Sequence, residues 1–365
     1  MKAFDSTITE KDISSVNDVL RSGSIAFGPN VNVFEERFSK HSNKQYNIGL
    51  NSASSAAYCL FAYLYERYGS CDVYTPSIGF TSPAWAAKKN NHNVYFLDVD
   101  DNLLVDYQSY WDVRKWHLER QMNATFNKSV FMPVLYGGVS DIEGLIQRVR
   151  DANWGDIIVV DSAHCIQPTI ESDYIFFSFH PVKPLTMSSG GMLSTDDEEA
   201  YDYISKYRNF GRENVGGSYN IVDNGFKFYM DNLNATLGLS QLDTCFENIR
   251  IRKNNLNYLK ENIKLEVGNF TEHDDNSSYY LGTLILKDIG SEKLRERLRD
   301  NNCAADFLYP YLHETDFWLG KRDSKPWFWT SLSNTRNLRD RIINLPIHQN
   351  LNKDDLDKIV RVVNG

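Results

Sequence analysis

The order of apolar and polar positions predicts the architecture before any single residue does. Thr9 with Asp12 three residues on is a capping-box spacing, and Ile13, Val16 and Leu20 then predict one apolar helix face. A second helix is predicted from about Ser54, through AAYCLFAYLYERYG, ending at Gly69. Four short apolar runs read as buried strands: residues 94–100, 130–137, 156–161 and 174–179. Between the second and third, Ser140 and Glu143 form another capping-box pair ahead of Leu145, Ile146 and Val149. Strands alternating with helices predict an α/β unit with a mostly parallel sheet. One long helical stretch is predicted from Met230 to Ile263. The pattern then changes to a strand at 279–287 and helices at 291–301 and 352–363. We therefore expect a large domain over 1–244 and a smaller C-terminal α+β domain over 245–365.

Length supports that division, because 365 residues exceed the ~250–300 at which single cores stop growing. Apolar residues at 42% and aromatics at 13% suffice for a sizeable core. A net charge of −9 argues against nucleic acid or an anionic membrane surface as the main partner. The five cysteines are scattered and contain no C-x-x-C pair, which predicts reduced thiols, no metal site and a cytoplasmic protein. The first residues are polar, and no apolar run reaches the ~18 residues of a membrane span. N-x-S/T triplets such as Asn123–Thr125 read as chance occurrences in an Asn-rich chain.

Four segments carry candidate chemistry. Lys183 lies in SFHPVKP just after a predicted strand, and alone it is no more than a surface lysine. Asp161 ends the run DIIVVD, where open α/β sheets bind ligands, although a helix cap is the plainer use of such an Asp. NSASSAA (51–57) precedes the second helix, so backbone N–H groups and the hydroxyls of Ser52, Ser54 and Ser55 could face a phosphate; taken alone, simple N-capping by serine is the plainer reading. Phe80, in TPSIGFTSPAW, could stack on a planar ring or be one more core aromatic.

Taken in order, these segments resemble the DegT/StrS family of pyridoxal-phosphate-dependent nucleotide-sugar aminotransferases. The match begins with LRSGSIAFGPNVNVFEERFSKH (20–41), NSASSAA and TPSIGFTSPAW. It continues through FLDVDDNLLVD (96–106), MPVLYGGVSDI (132–142), VVDSAHCIQ (159–167) and SFHPVKPLTMSSGGML (178–193). It closes with GFKFYMDNLNATLGLSQL (225–242), YPYLH (309–313) and NLPIHQNLNKDDLDKIV (344–360), covering nearly the whole chain. The resemblance implies a fold-type I aminotransferase, with a mostly parallel mixed sheet between helices in the large domain. It implies pyridoxal 5'-phosphate on Lys183 as a Schiff base, Asp161 at the ring nitrogen and His164 near the phenolic oxygen. It implies Phe80 against the ring, Ala53, Ser54 and Ser178 at the phosphate, and Lys227 reaching the phosphate of a neighbouring subunit. The last point implies a homodimer with the active site at its interface.

The implied reaction moves an amino group from an amino acid, glutamate above all, to a nucleotide-linked keto-deoxysugar. Gly28 in the Ile25–Pro29 segment, Tyr309 and His313 are the expected substrate contacts. Three segments depart from the family pattern: Ser188-Ser189-Gly190-Gly191 stands for Gly-Glu-Gly-Gly after the lysine, so an acidic group is missing, Tyr229 replaces an arginine, and Phe210 replaces a histidine. Those departures leave room for a degenerate, non-catalytic member. Related sugar dehydratases place histidine where this chain has Lys183, so the lysine favours transamination.

Overall fold

In the computed structural model the chain is described at residues 1–26, 28–120, 127–139, 141–166, 170–215, 217–288, 290–305, 309–320 and 331–365. The Asn123–Thr125 triplet, Ser140 and residue 27 of the expected substrate segment therefore lie outside the described residues.

The strands are β1 (Tyr46–Leu50), β2 (Cys71–Pro76), β3 (Asn93–Leu97), β4 (Lys128–Phe131), β5 (Ile157–Asp161), β6 (Tyr174–Ser178), β7 (Gly191–Thr195), β8 (Arg212–Val215), β9 (Ser218–Ile221), β10 (Gly268–Phe270), β11 (Gly282–Leu286) and β12 (Ile342–Leu345). The helices are α1 (Glu10–Ser22), α2 (Pro29–Ser42), α3 (Ala53–Tyr68), α4 (Thr81–Lys89), α5 (Tyr107–Arg120), α6 (Glu143–Asp151), α7 (Glu198–Tyr207), α8 (Asn232–Leu242), α9 (Cys245–Asn262), α10 (Ser291–Asp300), α11 (Ser333–Leu338) and α12 (Lys353–Asn364).

Seven strands form the main sheet in the order β1-β7-β6-β5-β4-β2-β3. β6, β5, β4, β2 and β3 pair in parallel, while β7 runs antiparallel to both β6 and β1. The continuous apolar runs are explained by burial on both faces. Along β5 and β6, Ile157, Val159, Tyr174 and Phe176 join a core with α3, α4 and α7. Their neighbours Ile158, Val160, Ile175 and Phe177 join the opposite core with α2, α6 and α8. The expected mixed, mostly parallel sheet between helices is the observed one.

A three-stranded antiparallel sheet, β10-β11-β12, packs with α9, α10 and α12 around a third core. α9 spans two cores: Cys245, Phe246 and Ile249 pack toward the large sheet, and Leu256 and Leu259 toward the small one. We propose 1–244 and 245–365 as the two domains, with α9 as the join.

Some local expectations need correcting. The stretch 230–263 is two helices; the first stops at Leu242, and Asp243 is held by Lys11 and Arg37, each at 2.6 Å. The capping box of α1 forms as expected, but Ile13 and Leu20 are exposed and Asp12 and Val19 are buried. Asp12 turns inward because its carboxylate takes hydrogen bonds from Thr9 N–H and from Gln241 Nε2 of α8, at 2.7 and 2.9 Å. α6 begins at Glu143 on Ile142, without a side-chain cap. Among the described residues no helix is long and apolar enough to cross a membrane.

Candidate active site

A cavity of about 460 Å³ opens at the carboxyl ends of the main-sheet strands, within the ~300–1,000 Å³ of small-molecule sites. Much of its lining comes from turns that follow strands. β1 leads into Ser52, the N-cap of α3, whose side chain accepts from Ser55 N–H at 3.1 Å. The first N–H groups of a helix have no intrahelical acceptor, so those of Ala53 and Ser54 are available to an anion. This turn lies against β7. A Cβ on Gly191 would come within 2.2 Å of the Ser52 carbonyl carbon, so only glycine lets the two backbones meet. Ser178, at the end of β6 and paired with Gly191, adds a third wall hydroxyl beside Ser52 and Ser54. Ser189 closes that end, donating to the Asn51 carbonyl at 2.5 Å.

Lys183 lines the cavity from the loop after β6 and is 7% exposed. Among the described residues its amine has no ion pair or hydrogen bond. It lies 4.2 Å above the Tyr280 ring. Burial lowers its pKa to about 7, a shift opposed by the negative charge of Asp161 and reinforced by the buried Arg252. Asp161, at the end of β5, is also buried, and its carboxylate accepts a hydrogen bond from Ala163 N–H at 3.0 Å. Burial pushes its pKa up to about 6, against the pull of that N–H and of Lys183. An isolated buried charge is costly, so a lysine and an aspartate left this under-satisfied mark a place built for a further partner.

Phe80 stands at the mouth, 53% exposed, with its ring centroid 5.7 Å from that of Tyr309. His164 lines the cavity with both ring nitrogens engaged: Gly137 N–H donates to Nδ1 at 3.2 Å, and Nε2 meets Tyr309 Oη at 2.9 Å. The cavity thus brings together Ala53, Ser54, Phe80, Asp161, His164, Ser178, Lys183 and Tyr309 from the sequence reading.

It leaves three others outside its wall. Lys227 is exposed, with Nζ 5.8 Å from the centroid of the Tyr229 ring, while its carbonyl accepts from Asn51 Nδ2 at 3.2 Å. His313 lies behind Ser77, with Nδ1 and Oγ 2.5 Å apart. Gly28 abuts α8, where a Cβ would come within 2.6 Å of Asn232 Cγ. Sequence reasoning missed Tyr280 and Phe4, whose rings stack at 5.2 Å along one wall. Tyr280 fell in an apparent strand, and Phe4 lies outside any helix or strand, so no local pattern marked either.

These residues fit a phosphorylated pyridine aldehyde. Serine hydroxyls and a helix start suit the phosphate, Asp161 suits a protonated ring nitrogen, and Lys183 is the amine an aldehyde needs.

Comparison with known proteins agrees. The chain is 25% identical, over 98% of its length and 95% of the relative's, to the UDP-4-amino-4-deoxy-L-arabinose–oxoglutarate aminotransferase of Shewanella sediminis. It is 24% identical, over 95% of its length and 92% of the relative's, to the UDP-4-amino-4,6-dideoxy-N-acetyl-beta-L-altrosamine transaminase of Campylobacter jejuni. A putative sugar aminotransferase from Streptococcus pneumoniae, solved in its PMP-form, superposes with a TM-score of 0.85 at 24% identity, covering 100% of this chain and 96% of that one; the same protein is known in a PLP-form. The fold is thus that of the fold-type I sugar aminotransferases. Residues 6–364 match the family model itself, and the chain belongs to the DegT/DnrJ/EryC1/StrS aminotransferase family, whose cofactor is pyridoxal 5'-phosphate.

Proposed function

We propose that this aminotransferase moves an amino group from an amino acid, with glutamate as the expected donor, to the keto carbon of a nucleotide-linked deoxysugar. The observation that carries the reading is Lys183: a buried lysine without an ion-pair partner among the described residues, in one cavity with Asp161 and the Ser52–Ser54 turn. Pyridoxal phosphate supplies an electron sink when bound. The chain's own residues do the rest. Lys183 would hold the cofactor through its amine, and that amine, whose pKa burial lowers to about 7, is placed to take and return a proton at the substrate carbon. Asp161 favours the protonated ring nitrogen, and a cation beside it in turn favours the carboxylate form. Ala53, Ser54 and Ser178 would hold the phosphate, Phe80 would pack on the ring, and His164 would lie toward its phenolic side; all of them line the one cavity. Tyr309, His313 and Gly28 are the proposed substrate contacts; of these, Tyr309 already lines the cavity.

The working unit in this reading is a homodimer. Lys227 is exposed and does not line its own cavity, and the adjoining β8–β9 hairpin leaves Val215, Tyr219 and Ile221 exposed, an apolar edge suited to a second copy. The five cysteines are buried and form no disulfide among the described residues, which suits the cytoplasm as the proposed location.

Absorption spectroscopy tests the reading. Purified protein given pyridoxal phosphate is expected to gain a visible band that glutamate bleaches and a nucleotide keto-sugar restores. A wild-type protein whose band glutamate leaves unchanged overturns the donor; a band that no keto-sugar in a broad panel restores overturns the acceptor.

A further inference from the structure

The hydrogen-bond chain at His164 fixes where its protons lie. Gly137 N–H has its proton by necessity, so His164 Nδ1 must present a lone pair to it at 3.2 Å. Burial holds the imidazole in its neutral form, which leaves one ring proton, on Nε2. That proton is donated to Tyr309 Oη at 2.9 Å. The Tyr309 hydroxyl hydrogen must therefore point elsewhere, and among the described residues it has no acceptor. Tyr309 lines the Lys183 cavity, and the ring of His164 and the amine of Lys183 lie 4.4 and 4.2 Å from the same Tyr280 ring.

We infer that His164 is a positioning residue acting through Tyr309, and that the Tyr309 hydroxyl is a hydrogen-bond donor to an acceptor oxygen of the substrate at the Lys183 centre. This rests on the aminotransferase reading above. A donor whose own oxygen is occupied selects obligate acceptors, and two substrates carry one: the carboxylate of the amino donor and the ketone of the acceptor. Donation into Oη strengthens the outgoing O–H, because hydrogen bonds in series polarise one another. No proton is transferred.

Holoenzyme variants Tyr309→Phe, His164→Leu, His164→Gln and the Tyr309→Phe/His164→Leu double variant test it through the two half-reactions, each followed separately in the visible band. Tyr309→Phe and His164→Leu are each expected to lower kcat/KM of one half-reaction about tenfold to a hundredfold, with the double variant no worse than either single one. Loss with glutamate identifies the carboxylate, and loss with the keto-sugar identifies the ketone. His164→Gln, whose amide has one acceptor and donors, recovers part of the loss of His164→Leu. Unchanged half-reactions in Tyr309→Phe overturn the inference. So does a substrate-free band displaced by Tyr309→Phe, which makes the cofactor the acceptor. The 15N NMR shifts of His164, assigned by its loss in His164→Gln, give a readout free of any substrate: a proton on Nδ1 overturns the relay. A wild-type enzyme inert to glutamate and to every keto-sugar overturns the parent reading and this inference with it, a result separable from failure in an active enzyme.

Discussion

Strand β5 has an aspartate just before it and another at its end, and the two differ in how their charge is met. Asp156, before the strand, faces Arg114, whose Nη2 and Nε donate to Oδ1 at 2.9 and 3.1 Å, and its other oxygen accepts from Tyr110 Oη. Around it, Lys44 pairs with Asp196 at 2.9 Å and Arg150 with Asp173 at 3.1 Å, so that end of the sheet is largely balanced. Asp161, five residues on, has a single N–H for its carboxylate among the described residues and shares its cavity with a lysine that forms no ion pair with it. Both aspartates are buried. The difference teaches that burial alone does not mark a functional carboxylate; a buried carboxylate whose partner is still missing does.

The comparison breaks most visibly at the lysine. Lys183→Ala is expected to lower kcat by about a thousandfold or more while the protein stays folded, since no described ion pair is lost; kinetics and a melting curve together check this. Asp161→Asn is expected to cost roughly a hundredfold or more in kcat, again with little loss of apoprotein stability. Asp156→Ala should do the reverse. Leaving Arg114 buried without its carboxylate is expected to destabilise the protein by about 3–5 kcal/mol in denaturant unfolding, with kcat per folded molecule retained.

Proton linkage sharpens the contrast in the apoprotein. Lys183 has its pKa lowered from 10.5 to about 7, so between these values the unfolded chain binds more protons than the folded one, and stability rises with pH across that window. Asp161 is raised from 3.8 to about 6, so between those values the folded chain binds more, and its contribution falls as pH rises. The Tm of the apoprotein is expected to gain from the lysine between about pH 7 and 10, and Lys183→Ala to remove that gain. The smallest expected effect is at the phosphate: Ser178→Ala removes one of several hydroxyls and should weaken cofactor affinity about tenfold by spectroscopic titration.

Much of this was legible beforehand for identifiable reasons. DIIVVD and YIFFSF read as buried strands because both of their faces lie under helices, and a run apolar at every position has few other uses. Lys183, Asp161 and the Ser52–Ser54 turn were legible through the ordered resemblance to the family, since alone they read as a surface lysine, a helix cap and a simple serine N-cap. Tyr280 and Phe4 were not, because they reach the cavity from distant parts of the chain, and only packing brings them there. The exposed side of α1 was misread for a related reason. Periodicity locates an apolar face without saying what covers it, and inside this chain Asp12 is turned inward by Gln241, more than two hundred residues away.

By itself the sequence determined the strand–helix alternation, the turns that carry Lys183 and Asp161, and the serine-rich start of α3. All of these follow from contacts between near neighbours in the chain. Tertiary structure alone decided that Asp156 is neutralised and Asp161 is not, that His164 engages both its nitrogens, and that Tyr309 lines the same cavity as the lysine. Those outcomes depend on which distant groups arrive to satisfy a buried charge or proton, and a linear sequence does not record who arrives.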